Sequence, residues 1–186
     1  SIAPDLTAGA GVLPTAKELQ STGQLSVFSF GQGSFTATPL QITAMMNTIA
    51  AGGTYRTPRF CCGITDADGT VTEKFQLPAP RTVCDAATAK VLRSMLQSVV
   101  EDGIGYAAKP TGGTAAGKTG TAQTGQFDAA GDELLNYWFS GFIPADDPQY
   151  TITVLQDGVL EPETSSAAIF AQIAAGLQVI EQPAPD

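Results

Sequence analysis

The chain is 186 residues long, 43% hydrophobic and 15% charged, enough for one globular domain with a sizeable core. Its net charge of −9, with no basic cluster, argues against a nucleic-acid partner and against a polybasic membrane contact. It contains no histidine, which removes Ser-His-Asp and Cys-His catalysis together with the commonest zinc ligand.

Residues 1–14 are rich in Ala, Gly and Pro and read as the start of an irregular lead-in extending to residue 22. Thr38-Pro39-Leu40-Gln41 is a helix start: Thr38 can cap, Pro39 fits the first helical position, and Gln41 completes a capping box. That helix is predicted to run to Ala51 and stop at Gly52-Gly53. Residues 54–64 and 70–77 predict a hairpin around the turn-forming Asp66-Ala67-Asp68-Gly69. Cys61, Cys62 and Cys84 fit no metal-ligand spacing and are expected as small buried or half-buried thiols. Asp85 caps a second helix, in which Val91, Leu92, Met95, Leu96, Val99 and Val100 recur at helical spacing and predict a buried face. Asp102-Gly103 ends it.

Three strands are then predicted, at 115–124, 134–143 and 150–156; the last two are dense in aromatic and β-branched residues. A helix over 165–180 follows, with Ile169, Phe170, Ile173, Leu177 and Ile180 on one side, and residues 181–186 form a polar, proline-bearing tail. The most apolar run, Ala167 to Leu177, is too short to cross a bilayer, and no stretch reads as a signal peptide. Helices and a hairpin, then consecutive strands and a closing helix, predict an α+β fold: an antiparallel sheet flanked by helices. One domain is expected, with helices and hairpin over 23–105 and the three strands and last helix over 106–180.

The chemistry-bearing segment is Ala116-Gly117-Lys118-Thr119-Gly120-Thr121-Ala122-Gln123. Lys118-Thr119-Gly120 matches the third signature of the penicillin-recognising serine enzymes. Gly112 to Thr119 also fits the phosphate-loop pattern G-x-x-x-x-G-K-[ST]. A phosphate loop must leave a buried strand and open directly into a helix. Here the upstream segment contains Pro110, and Gly120 and Gly125 follow where a helix would begin, each costing it about 1 kcal/mol. The strand reading fits the flanks.

Around that strand lie further blocks: Gly31-Gln32-Gly33, Thr38-Pro39-Leu40-Gln41, Ile49-Ala50-Ala51-Gly52-Gly53 and Trp138-Phe139-Ser140-Gly141-Phe142-Ile143-Pro144-Ala145. Together, in this order, they resemble the class B penicillin-binding proteins over roughly residues 23–175. The resemblance implies a peptidoglycan D,D-transpeptidase that needs no cofactor or metal. A serine attacks a terminal D-Ala-D-Ala, D-alanine leaves, and the acyl-enzyme passes to an amine on a neighbouring stem peptide. β-Lactams mimic the donor. It also implies work at the extracytoplasmic face of the bacterial membrane through an N-terminal anchor, with partners in a cell-wall synthesis complex.

The nucleophile of that family sits in S-x-x-K and a second serine in S-x-N. Neither motif occurs in these residues: Ser21 is followed three on by Gln24, Ser34 by Ala37, Ser94 by Gln97 and Ser98 by Glu101. The chain is therefore expected to be the C-terminal part of a transpeptidase domain, paired with an N-terminal half and inactive alone.

By the same resemblance, Lys118 and Thr121 are the catalytic candidates, Lys118 supplying a fixed positive charge and Thr121 a backbone N–H for the oxyanion. Thr119, Gly120, Thr121 and Gln123 are the substrate-binding candidates: hydroxyls for a terminal carboxylate, a glycine that admits ligand backbone, and a cleft-lining amide. Without the flanking blocks, Lys118 would read as an edge-strand lysine that discourages aggregation. Trp138 and Phe139 read as core or cleft wall, and Asp128, Asp132 and Glu133 as a solvated loop. Two other functions are weighed: a non-catalytic module that binds peptidoglycan or a division partner, and a phosphate-loop NTPase with Asp157 as its sole metal-binding aspartate.

Overall fold

The computed structural model describes residues 9–181, and of 178–181 only the backbone. The centre is a three-stranded antiparallel sheet of β5 (Ala116–Phe127), β6 (Glu133–Ile143) and β7 (Tyr150–Val159), in the order β5-β6-β7. Side-chain alternation divides its core between two layers. Phe139 and Val154 pack with Phe170 and Ala174 of helix α4 (Ser166–Glu181) and with Val100 of α3 (Ala86–Glu101). Phe142 and Ala116 pack on the other side against Met46 and Ala50 of α2 (Pro39–Ala50). The Phe139 and Phe170 rings lie 4.7 Å apart, and full burial of one such side chain contributes about 1.5–3 kcal/mol.

The caps form as their residue types dictate. Thr38 Oγ1 accepts from the Gln41 N–H at 3.2 Å, and Gln41 Oε1 accepts from the Thr38 N–H at 2.8 Å. The remaining amide of Gln41 donates to Ala10 O at 2.8 Å, which fastens the lead-in to the start of α2. Asp85 Oδ1 caps α3 by accepting from the Thr88 N–H at 2.6 Å.

Several expectations change in detail. Residues Thr22–Ser29 form a helix, α1, at a place where no amphipathic period marks one. The predicted 54–64 strand divides around Pro58, which cannot donate to a ladder. Its first part, β1 (Thr54–Tyr55), pairs with β4 (Arg81–Thr82), and only β2 (Gly63–Thr65) pairs with β3 (Val71–Lys74). The turn between β2 and β3 is the expected one, with Asp66 Oδ1 accepting from the N–H groups of Asp68 and Thr70. Cys61 and Cys62 are exposed rather than buried, and Cys84 is half-buried. β5 and β7 outrun their predicted ends. In β5 the register shifts between Gln123 and Gln126, where Gly125 at φ 68° makes a bulge instead of a stop.

The predicted apolar faces are only partly covered. Val100 is buried, but Val91 and Met95 are 52% and 60% exposed. On α4 the buried face runs through Ala167, Phe170 and Ala174, and Ile173 is 41% exposed. Small alanines do packing there that a scan for large residues passes over. The side chain of Ile180 and the 1–8 and 182–186 segments lie outside the described residues. Among the described residues no helix is long and apolar enough to cross a membrane.

Candidate functional site

Lys118, Thr119, Gly120, Thr121 and Gln123 all lie in β5, at the outer edge of the sheet, with no helix after them. That placement removes the phosphate-loop alternative, whose lysine must face phosphates from a loop entering a helix. Lys118, Thr119, Gly120 and Thr121 pair with Ser140, Phe139, Trp138 and Tyr137 of β6.

Two hydrogen bonds show which way the backbone of β5 points. Thr119 O accepts from Lys118 Nζ at 2.9 Å, and Thr121 O accepts from Gln32 Nε2 at 3.3 Å. Both carbonyls therefore face away from β6. In an antiparallel strand the N–H and C=O of one residue project to the same side, so the Thr121 N–H also faces the open edge. Alternate residues, Lys118 and Gly120, carry the ladder to β6.

A cleft of about 510 Å³ opens along this edge, between β5, the 30–37 loop and the first turns of α2. Among its lining residues Trp138, Phe35, Ile42 and Met45 make an apolar wall, and only Lys118 and Asp157 carry formal charge. Ser140, the cross-strand neighbour of Lys118, lines the cleft although it is buried. Its hydroxyl meets Thr153 Oγ1 at 2.7 Å, and Thr43 Oγ1 of α2 lies 2.7 Å from the same atom. This hydroxyl chain locks α2 onto the sheet beneath the cleft. The corner after β6 is fixed independently: Thr114 Oγ1 donates to Asp146 Oδ1 at 2.8 Å and accepts from the Ala145 N–H at 3.0 Å. The Thr114 hydroxyl bond holds the Asp146 carboxyl below the usual carboxylate range.

The two glycines of the segment serve different ends. A Cβ on Gly117 would lie 2.6 Å from the Phe139 ring and 2.7 Å from Ser140 O, so packing demands glycine there. A Cβ on Gly120 would meet nothing closer than Trp138 Cβ at 3.4 Å, so packing does not. Gln123 lines the far part of the cleft, where its amide donates to Glu133 Oε2 at 2.9 Å. Trp138 stands in the cleft wall and Phe139 in the core. Gln32 was not among the sequence candidates; its partner in β5 lies 89 residues away, and no local spacing connects the two.

A strand edge carrying Lys-Thr-Gly-Thr, backed by helices on both faces of an antiparallel sheet, is the arrangement that the resemblance implies. The comparisons with known proteins agree. The family model for the penicillin-binding protein transpeptidase domain matches residues 7–175. Penicillin-binding protein PbpB of Mycolicibacterium smegmatis is 37% identical over 184 residues, covering 90% of this chain and 28% of that protein. Stage V sporulation protein D of Bacillus subtilis is 35% identical over 150 residues, 80% of this chain and 23% of its own length. In three dimensions the chain is similar to penicillin-binding protein 3 of Mycobacterium tuberculosis, crystallised with aztreonam: TM-score 0.79, 33% identity, 93% of this chain and 41% of that one. The chain belongs to the penicillin-binding protein transpeptidase family, on its class B side. It spans about a quarter of the length of the curated relatives it matches.

Proposed function

We propose that this chain carries the lysine-bearing half of a peptidoglycan D,D-transpeptidase site. The nucleophile would come from elements with S-x-x-K and S-x-N, motifs that these 186 residues do not contain. The observation that carries the reading is the free edge of β5, where the Thr121 N–H and the Lys118 ammonium meet one cleft.

Acyl transfer at serine develops negative charge on the carbonyl oxygen, and a backbone N–H held in place by a strand stabilises that charge without reorganising. Thr121 supplies this donor. Lys118 supplies a cation beside it, for a substrate carboxylate and for proton movement through the S-x-N serine; its present partners, Thr119 O and the Thr119 hydroxyl 3.5 Å away, can yield to a ligand. The hydroxyls of Thr119 and Thr121 hydrogen-bond a terminal carboxylate, Gly120 leaves room for ligand backbone, and Gln123 borders the ligand's far end. The substrate class is a stem peptide ending in D-Ala-D-Ala, with β-lactams as mimics, and the place of action is outside the cytoplasm, where that substrate lies. Residues 23–180 act as one unit in this scheme.

Intact-mass analysis after incubation with a β-lactam tests the reading. This chain alone is expected to stay unmodified, since no serine in it has a lysine three residues on to activate it. The same chain joined to an S-x-x-K half is expected to gain one adduct. A stoichiometric adduct on the chain alone, or none on the joined protein, overturns the assignment.

A further inference from the structure

Cys61 and Cys62 are adjacent, exposed and outside the cleft along β5. They stand on a long β-ribbon, with the β1–β4 pairing at its root and the β2–β3 hairpin at its tip. The pair lies just before β2, in backbone that belongs to no strand. The first hydrogen bond below the hairpin ladder is made there: Cys62 O accepts from the Phe75 N–H at 3.0 Å. Next to it Gly63 is pinned in the ladder, since a Cβ there would meet Glu73 O at 2.3 Å. The surface around the pair is open. Phe60 is 67% exposed, and every residue of β3 is exposed.

The chain has three cysteines, and the third is seated elsewhere. Cys84 is half-buried at the root of the ribbon, where its N–H donates to Gly53 O at 3.4 Å and its Sγ would lie 3.0 Å from a Cβ on Gly53. The segment 56–62 separates that seat from the exposed pair. A second copy is a poor disulfide partner, because two chains of net charge −9 repel each other. Each exposed thiol thus has the other as its partner. A disulfide normally spans Cα atoms about 4.4–6.8 Å apart, whereas neighbours across a trans peptide, as here, are only about 3.8 Å apart. A bridge between them is therefore strained, and strained, exposed disulfides are the readily reduced ones. Outside the cytoplasm, the place of action proposed above, exposed thiols meet oxidants.

We propose that Cys61-Cys62 is a reversible dithiol modification site, and that the class of reagent it takes is a low-molecular-weight disulfide, RSSR. The thiolate of one cysteine attacks RSSR, forming a mixed disulfide on the protein and releasing one thiolate, RS−. The neighbouring thiolate then attacks the protein sulfur, closing the Cys61–Cys62 bridge and releasing the second RS−. Two protein thiols are oxidised, RSSR is reduced to two RSH, and the two thiol protons pass to the departing thiolates. Closing so small a ring turns the Cys62 carbonyl, so the change reaches the Phe75 N–H and the foot of the hairpin. Only the oxidising surroundings rest on the transpeptidase reading; the chemistry of the pair does not.

The test is intact-mass analysis and nuclear magnetic resonance on this chain, incubated with bis(2-hydroxyethyl) disulfide. The parent and Cys84→Ser are each expected to lose two hydrogens without forming covalent dimers, and to regain them with dithiothreitol. The Phe75 N–H signal should move on oxidation, and the Thr121 N–H signal should not. In the Cys84→Ser background, Cys61→Ser and Cys62→Ser cannot close the ring, and each should hold one hydroxyethylthio group instead. Their melting temperatures should stay near that of the parent, because the replaced side chains are exposed. A covalent dimer, a reagent group kept on both exposed cysteines of the parent, or no change in mass overturns the inference. So does a loss of two hydrogens that Cys84→Ser abolishes, which assigns the bridge to Cys84, or an oxidation that leaves Phe75 unmoved. Each of these results leaves the β5 half-site standing, because none of its groups takes part.

Discussion

Strands β5 and β6 are neighbours in one sheet, yet they do opposite work. β6 is paired on both sides, and its last five residues, Phe139–Ile143, are all buried. Among the described residues β5 is paired on one side only, and from Lys118 onward its residues are half-buried or exposed. The central strand holds the architecture, and the edge strand is left with backbone groups that a ligand can use. An open edge normally invites aggregation. Here its two outward carbonyls in the K-T-G-T segment are covered by Lys118 and Gln32, both displaceable side-chain donors. Chemistry on β5 should therefore be separable from stability, which resides in β6.

The hardest blow to that contrast is Phe139→Ala. The ring is fully buried against Phe170, and its loss should cost about 3–5 kcal/mol of folding free energy, a large share of a small domain's margin. Urea unfolding measures it, and a loss under about 1 kcal/mol would mean that β6 is not the keystone. A finer division runs within β5 itself. Gly117→Ala should cost about 1–3 kcal/mol through overpacking against Phe139. Gly120→Ala, with its nearest neighbour at 3.4 Å, should cost less than about 1 kcal/mol while weakening ligand binding at the edge. Equal thermal losses in the two alanine variants would erase the distinction between a packing glycine and a cleft glycine.

The smallest effect concerns acid. Asp85 is held below the usual carboxylate range chiefly by the Thr88 backbone N–H, and Asp146 chiefly by the Thr114 hydroxyl. A carboxyl whose folded pKa lies below its unfolded value stabilises the fold above the unfolded pKa, and the contribution disappears as pH falls through the folded one. Melting temperature should thus decline from neutral pH into the acid carboxylate range. Asp85→Asn, which still caps α3 but does not titrate, should flatten part of that decline; an unchanged profile would remove Asp85 from the account.

How much of this was legible beforehand differs between the two regions. The capping box at Thr38, the cap at Asp85, the three strands and the K-T-G edge were all readable, because each depends on local residue chemistry or on a short ordered motif. The split of β1 from β2 was not, because β1's partner Arg81–Thr82 comes from beyond the hairpin and only tertiary structure selects it. Val91 and Met95 obey a helical period that the described residues do not cover, so periodicity predicted their face but not its occupant. Gln32 stayed hidden for the same reason as β1: its partner, Thr121, is a backbone carbonyl 89 residues away, and no spacing rule connects them.

Lys118 is proposed as a chemical residue on a structurally undemanding edge. The direct test is the second-order rate constant for β-lactam acylation of Lys118→Ala, in the protein completed with its S-x-x-K half, measured beside its melting temperature. Loss of one charge-assisted contact should cost about 1.5–3 kcal/mol, roughly ten- to a hundredfold in rate, with the melting temperature nearly unchanged. Acylation at the parent rate would make Lys118 only a solubilising strand residue, and the assignment of the β5 edge as half of an acyl-transfer site would fall.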